Sequence, residues 1–306
     1  MAPGATAVGL AVAVTLGAGG WQSGPPLPVA RGEVAAASVG GEIAIVGGFL
    51  ADGASSARVD AYTPAAGRWR RLPDLLRAVN HAFAAGWNGR LYVAGGYGDT
   101  GPSRAAWVLD GGSWRSLPSL PYGLAAGGAG VVGGRLYLVG GVTMNAGARA
   151  LVRRALVLDL RRPTRWRLAP GPTSREHLAV VARAGRLYAL GGRTAGFDTN
   201  TRLVETWRPS ERRWRRLAPL PEARGGTGAA ALGGSIVSIG GESPTGTIAS
   251  VYAYDVARAT WRRLPDLPTP RHGLAVAAHG GRIYAIAGGR TPGLAVSDVM
   301  ESLAFG

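Results

Sequence analysis

The residues of this 306-residue chain best suited to hold an anion or move a proton recur in one phase. Arg31, Arg175, Arg224 and Arg271 stand sixteen positions ahead of a repeated glycine motif, and Glu33, His81 and His177 stand fourteen ahead of it. In the other repeats the same counts land on Val79 and Leu124, and on Ala126, Gly226 and Gly273. Two positions apart on an extended segment share a side, so both sets are expected to face one opening. Guanidinium forks suit carboxylates and phosphates, and a Glu or His beside them can transfer a proton. Arg193 and Arg290, directly after the glycines, would line the rim with Tyr97 and Glu242. The expectation is an anion-favouring funnel whose ligand contacts are Arg31, Glu33, His81, Arg175, His177, Arg224, Arg271, Arg193 and Arg290.

Other chemistries are closed off by composition. The chain has no cysteine, which excludes disulfides, thiolate nucleophiles and cysteine-held metals. His81, His177, His272 and His279 lack the close spacing of a metal site. His81 and His177 also fall in non-adjacent repeats, so separate hydrogen bonds are expected, with no metal and no cofactor. All 34 basic residues are arginine and the net charge is +16, a bias that follows from GC-rich coding or from an anion-binding surface. Arginines bracket repeated tryptophans, as at Arg68, Arg70 and Arg71 or Arg212, Arg213, Arg215 and Arg216, and so read as a solvated belt. Basic residues interleaved with exposed aromatics on one face would mark nucleic-acid binding, and that pattern is missing. No apolar run reaches the roughly 18 residues of a membrane span.

The elements that must position these residues follow from two markers in one rhythm. Glycine pairs at 47–48, 95–96, 140–141, 191–192, 240–241 and 288–289 are spaced by 48, 45, 51, 49 and 48 residues. Trp21, Trp69, Trp114, Trp166, Trp214 and Trp261 are spaced by 48, 45, 52, 48 and 47. A period near fifty means one supersecondary unit repeated, and six units fit a closed ring. In "HLAVVARAGRLYALGG" (177–192) two apolar runs flank an Ala-Gly turn, a hairpin signal. A third strand such as "VYAYDVA" (251–257) and a fourth carrying the marker Trp complete the unit. Exits such as "LPDLP" (264–268) connect the sheets, because proline cannot donate to a ladder.

These residues resemble the kelch family: Gly-Gly after an apolar strand, an aromatic in the third strand, and Trp about seven residues later. "WRRLPDLPTPRHGLAVAAHGGRIYAIAGG" (261–289) is close to the family consensus, and the likeness covers residues 21–304. It implies an all-β, six-bladed β-propeller of four-stranded antiparallel blades. Two departures stand out: Val79 replaces the usual Arg, and the sixth pair aligns without a gap as Ala287-Gly288. Arginine at the exit position is common in the family, where it satisfies loop carbonyls or pairs with a neighbouring blade. That structural role stays open beside the ligand-binding one.

The last repeat supplies "SDVMESLAF" (297–305) and stops before any Trp, while Trp21 precedes the first full repeat. The N-terminal strand is therefore expected to close the last blade, which removes exposed edges. Residues 1–19 form a leader in this reading. Residues 7–18 resemble a signal-peptide core without its positive flank, or else form an extra strand, and 20–306 form the propeller. The first alternative places the protein outside the cytoplasm, the second within it.

The resemblance brings three function classes, and composition rules out the third. A monomeric binding module for an acidic small molecule, glycan or protein segment needs no further chemistry. The adaptor role of animal kelch proteins resides in attached domains and is not carried over. Some single-domain bacterial kelch propellers resemble sialic-acid epimerases, where the funnel arginines would hold the carboxylate and Glu33, His81 or His177 would move the proton. A galactose-oxidase-like copper radical site would need a tyrosine–cysteine crosslink, which a chain without cysteine cannot form. The binding module is the favoured reading.

Overall fold

In five of the six repeats the first two strands are joined by a two-residue turn whose residues both take left-handed φ, and in the fifth only Gly233 of the Gly233-Gly234 turn does. Such turns match the right-handed twist of the strands they connect. Gly40-Gly41 has φ of 57° and 85°, and Asn88-Gly89 has 53° and 72°. The second strand alternates little: Ile43, Ala44, Ile45 and Val46 are all buried, because neighbouring blades cover both faces.

The computed structural model describes residues 20–305, and these form six four-stranded antiparallel sheets. The suggested leader or extra strand in residues 1–19 lies outside the described residues. Blade 1 comprises Ala35–Val39, Glu42–Val46, Val59–Thr63 and Arg68–Arg71, in that order from axis to rim, and blades 2 to 5 follow within residues 83–116, 128–170, 179–216 and 228–264. The first strand of every blade touches the first strands of the blades on either side, which closes the ring. Blade 6 takes Ala275–His279, Arg282–Ile286 and Met300–Ala304, then Trp21–Ser23 as its outer strand. Trp21 pairs with Leu303 and Ser23 with Glu301, so chain start and chain end share one blade as expected. No helix among the described residues is long and apolar enough to cross a membrane.

The core is a series of inter-blade layers. Phe83, Tyr92 and Ala94 of blade 2 pack on Leu136, Leu138 and Leu156 of blade 3, all nearly inaccessible. Burying each large apolar side chain contributes about 1.5–3 kcal/mol. The marker tryptophans stitch blade to blade. Trp69 Nε1 donates to Pro25 O at 3.0 Å, Trp114 to Pro73 O at 2.8 Å and Trp166 to Pro118 O at 2.7 Å. Trp21, Trp214 and Trp261 repeat the bond to Pro265 O, Pro170 O and Ala218 O. The proline-rich exits thus present free carbonyls as well as breaking the ladder.

The glycine pair marks another crossing. A Cβ on Gly47 would lie 2.3 Å from Val79 O, and one on Gly191 would lie 2.6 Å from Arg224 O, so the next blade's backbone occupies that space. In blade 6 the left-handed pair is Ala287 (φ 61°) and Gly288 (φ 94°), not 288–289.

Candidate functional site

Two rings of backbone hydrogen bonds surround the axis where the first strands begin. In the outer ring the second residue of each pair donates to the carbonyl sixteen positions before the next blade's pair. Gly48 N reaches Val79 O at 2.9 Å, Gly192 N reaches Arg224 O at 2.8 Å, and Gly288 N reaches Arg31 O at 2.8 Å. The inner ring is a collar through the residues fourteen positions ahead. His81 N donates to Glu33 O (3.0 Å), Ala126 N to His81 O (3.1 Å), and His177 N to Ala126 O (2.8 Å). Gly226 N continues to His177 O, Gly273 N to Gly226 O, and Val34 N closes on Gly273 O. All six collar residues have left-handed φ: 49° at Glu33, 51° at His81, 58° at Ala126, 50° at His177, 62° at Gly226 and 56° at Gly273.

The left-handed collar corrects the expected placement of the arginines. A residue at φ near 50° breaks the two-residue alternation, so the positions sixteen and fourteen ahead face different ways. Arg31, Arg175, Arg224 and Arg271 are completely buried inside the blades. Each donates to the carbonyl of the first residue of its own pair: Arg31 to Gly47 O (3.0 Å), Arg175 to Gly191 O (2.6 Å), Arg224 to Gly240 O (3.2 Å), Arg271 to Ala287 O (2.9 Å). That contact accounts for the sixteen-residue spacing. Three also pair with a buried carboxylate on the third strand: Arg31 with Asp60 (2.5 Å), Arg175 with Glu205, and Arg271 with Glu301 (2.6 Å). Arg224 bonds Glu222 (2.8 Å) and stands over Tyr252. In blades 2 and 3 the same two places hold apolar pairs, Val79 with Trp107 and Leu124 with Leu156, as strand register shows. The fold therefore accepts an ion pair or two apolar side chains here, and the expected arginine contacts at the funnel give way to this internal role.

Glu33, His81 and His177 do converge, on the collar. His81 Nε2 is 3.1 Å from Glu33 Oε2 and 3.0 Å from His177 Nε2. The expectation of separate hydrogen bonds for the two histidines is thus corrected: at collar radius, side chains from blades two apart still meet. His81 Nδ1 faces Asn80 Oδ1 at 2.5 Å, and Asn80 Nδ2 donates to Ser55 Oγ at 2.8 Å. His177 Nδ1 lies 3.3 Å from Glu176 Oε2. His272 Nδ1 is 3.1 Å from Glu33 Oε1 and 3.4 Å from Glu242 Oε2, with its Nε2 3.0 Å from Thr291 O.

Arg193 joins the cluster from the rim, donating to Glu242 Oε1 at 2.6 Å and approaching Glu176 Oε1 at 3.4 Å. Arg149 pairs with the other oxygen of Glu176. Arg290 remains exposed, and Tyr97 and Phe49 set their rings edge-on against His81 at 5.6 and 5.7 Å. Burial would raise the Glu33 carboxyl, but His81 and the bond from His272 outweigh it and hold it well below the usual carboxylate range. Burial pushes the His81 imidazole down to about 4, despite Glu33. Burial also opposes ionisation of Glu176, yet His177 and Arg149 lower it to about 2. His272 goes the other way: burial disfavours its charge, but Glu33 and Glu242 raise it above the ordinary imidazole value.

Glu176, His272 and Asn80 are site residues that the sequence reading did not single out. All three occupy the place fifteen ahead of the motif, where the backbone bridges to the residue after the pair, as Glu176 does to Arg193 and Asn80 to Tyr97. That register was countable in the sequence. The pocket bounded by Glu33, His81, His177 and the collar encloses about 90 Å³. A larger hollow of about 510 Å³ lies on the outer flank between blades 3 and 4, beside Arg135, Asp159 and Trp207. It gathers no comparable set of convergent groups.

The comparisons agree with this architecture. Residues 127–302 match the family model described as the KLHDC2/KLHL20/DRC7 kelch-repeats domain, and the kelch-motif model matches at 30–76 and 80–121. The chain belongs to the kelch-repeat family. It is similar to the kelch-like protein terF of Aspergillus terreus, 32% identical over 105 residues, covering 32% of this chain and 23% of that protein. The chain thus matches less than a quarter of that relative's length. The solved structure of YjhT superposes with a TM-score of 0.77 over 90% of this chain and 95% of that one, at 17% identity, a likeness of fold.

Proposed function

We propose that this kelch propeller is a binding module whose recognition site is the collar at the mouth of the axial channel. One observation carries the reading. The collar's left-handed backbone is served by Ala126, Gly226 and Gly273 in three blades, yet blades 1, 2 and 4 place Glu33, His81 and His177 there. Non-glycine residues in this region cost of order 1 kcal/mol, and burying ionisable groups costs more. The fold does not require either, so the groups are explained by what they contact. A half-open pocket of about 90 Å³ suits an acidic head group entering end-on.

Sugar processing on an anionic substrate is the second reading, favoured by the 3.1 Å approach of Glu33 to His81. Thermal shift with N-acetylneuraminate, glucuronate and a short acidic peptide tests both. Stabilisation that is lost in His177→Gly and kept in Arg213→Ala supports the collar site. Equal loss in Arg213→Ala would assign binding to general surface charge. Turnover of N-acetylneuraminate that disappears in His81→Ala would replace the binding module with the enzyme.

A further inference from the structure

The collar triad has a donor geometry that protons alone satisfy poorly. Asn80 Nδ2 donates to Ser55 Oγ, which turns Oδ1 toward His81 Nδ1 and fixes the proton on that nitrogen. His81 Nε2 then presents a lone pair, and this one lone pair meets both Glu33 Oε2 at 3.1 Å and His177 Nε2 at 3.0 Å. A proton placed on Nε2 would have to be shared between the two contacts in a bent three-centre bond, weaker than two direct ones. A cation between the three atoms would serve all of them.

We propose that Glu33 Oε2, His81 Nε2 and His177 Nε2 form a mononuclear site for a divalent transition metal, zinc first among them. The three ligating atoms lie within 4.8 Å of one another. Two donors each about 2.0–2.1 Å from one ion stand roughly 3.0–3.4 Å apart, which matches the two short separations, and the Glu33–His177 pair has to stand within about 4.2 Å once an ion is bound. Two imidazoles and a carboxylate form a donor set of borderline softness, suited to zinc, iron, nickel or cobalt rather than calcium or magnesium.

Two of the three ligands are held from behind by hydrogen bonds, as metal ligands are, and the third has a carboxylate behind it. Asn80 holds His81, Glu176 stands 3.3 Å from His177 Nδ1, and His272 meets the far oxygen of Glu33 at 3.1 Å. Phe49 and Tyr97 clamp the His81 ring edge-on from two sides. The second acidic group, Glu33 with Glu242 and His272, is of a different kind. His272 Nε2 points at Thr291 O and its Nδ1 at the two carboxylates, so that ring bridges partners as a donor.

A triad leaves coordination positions for an exogenous oxygen ligand. The metal would thus supply the anion affinity that the blade arginines, turned inward, do not. The inference rests on the collar as the site but not on any particular ligand. Chelator-treated full-length protein is titrated with Zn²⁺ by calorimetry and with Co²⁺ by visible absorption. One ion per chain is expected, with micromolar or tighter affinity and cobalt ligand-field bands.

His81→Ala, His177→Ala and Glu33→Gln should each weaken binding at least tenfold, and Asn80→Ala about 10- to 100-fold, the usual range for an orienting partner. His279→Ala, at the other end of the first strand of blade 6, should leave it unchanged. Alanine is tolerated on the collar at residue 126, so a folded His81→Ala protein is available for the comparison. Absence of stoichiometric binding, or equal affinity in the His81→Ala/His177→Ala double variant, would overturn the metal site. Metal binding in a protein that responds to none of the acidic probes would instead retire the acidic-ligand reading and leave the metal standing.

Discussion

The indole Nε1 of Trp21 donates to the carbonyl oxygen of Pro265 at 2.9 Å, joining positions 244 apart in sequence. The other five marker tryptophans make the equivalent bond to the preceding blade's exit, so this one is the clasp between blades 6 and 5. Trp21→Phe keeps most of the ring and removes the donor. It should cost about 0.5–1.5 kcal/mol in denaturant unfolding. Deleting residues through Gly24 also removes the outer strand of blade 6 and should lower the melting temperature of the entire ring. An unchanged melting temperature would contradict the closure.

Gly191→Val should be severely destabilising, by more than about 2 kcal/mol. The backbone there has φ of 60°, and a Cβ would lie 2.6 Å from Arg224 O. Guanidinium unfolding of the variant measures it, and near-wild-type stability would show that the next blade can retreat.

The buried pair Arg175–Glu205 can be tested against its apolar counterpart in blade 3, Leu124 with Leu156. Arg175→Leu or Glu205→Leu alone leaves one charge buried without its partner, at a cost of about 3–5 kcal/mol. Together they reproduce the blade 3 arrangement and should recover at least half of that loss. A double variant as unstable as the sum of the singles would mean the two residues are not coupled. Arg213→Ala on the exposed belt should be neutral within about 0.5 kcal/mol.

His177→Gly should hold or raise stability by up to about 1 kcal/mol, because it relieves a φ of 50° and Glu176 keeps Arg149 and Arg193 as partners. Loss of ligand or metal response in the same protein would show that stability was given up for function. A strongly destabilised His177→Gly would make the histidine a structural member of the collar.

The blades were legible because their markers are local and repeated: turn glycines, strand-end glycines and a tryptophan in every blade. Closure by Trp21 followed from a missing tryptophan at the other end. The collar was only half legible. Glu33, His81 and His177 share a countable phase, but the left-handed backbone that turns them toward the axis, and Arg175 into its blade, comes from inter-blade bonds such as His81 N to Glu33 O. No local pattern encodes those bonds. The ion pairs were hidden for a similar reason: Arg175 meets Glu205 thirty positions later, on a strand whose register depends on a variable loop.

The collar works as a dial with six equivalent stations. Its hydrogen bonds run through backbone atoms only, so the side chain at any station can change without breaking the ring. Ala126, Gly226 and Gly273 are stations that carry no polar group. Exchanging a few letters among stations would rotate the same trio of side chains by whole blades, beneath a different set of loops. A chemical centre and the surface above it can therefore diverge independently, and a lineage built on this frame can change what it recognises without rebuilding how it stands.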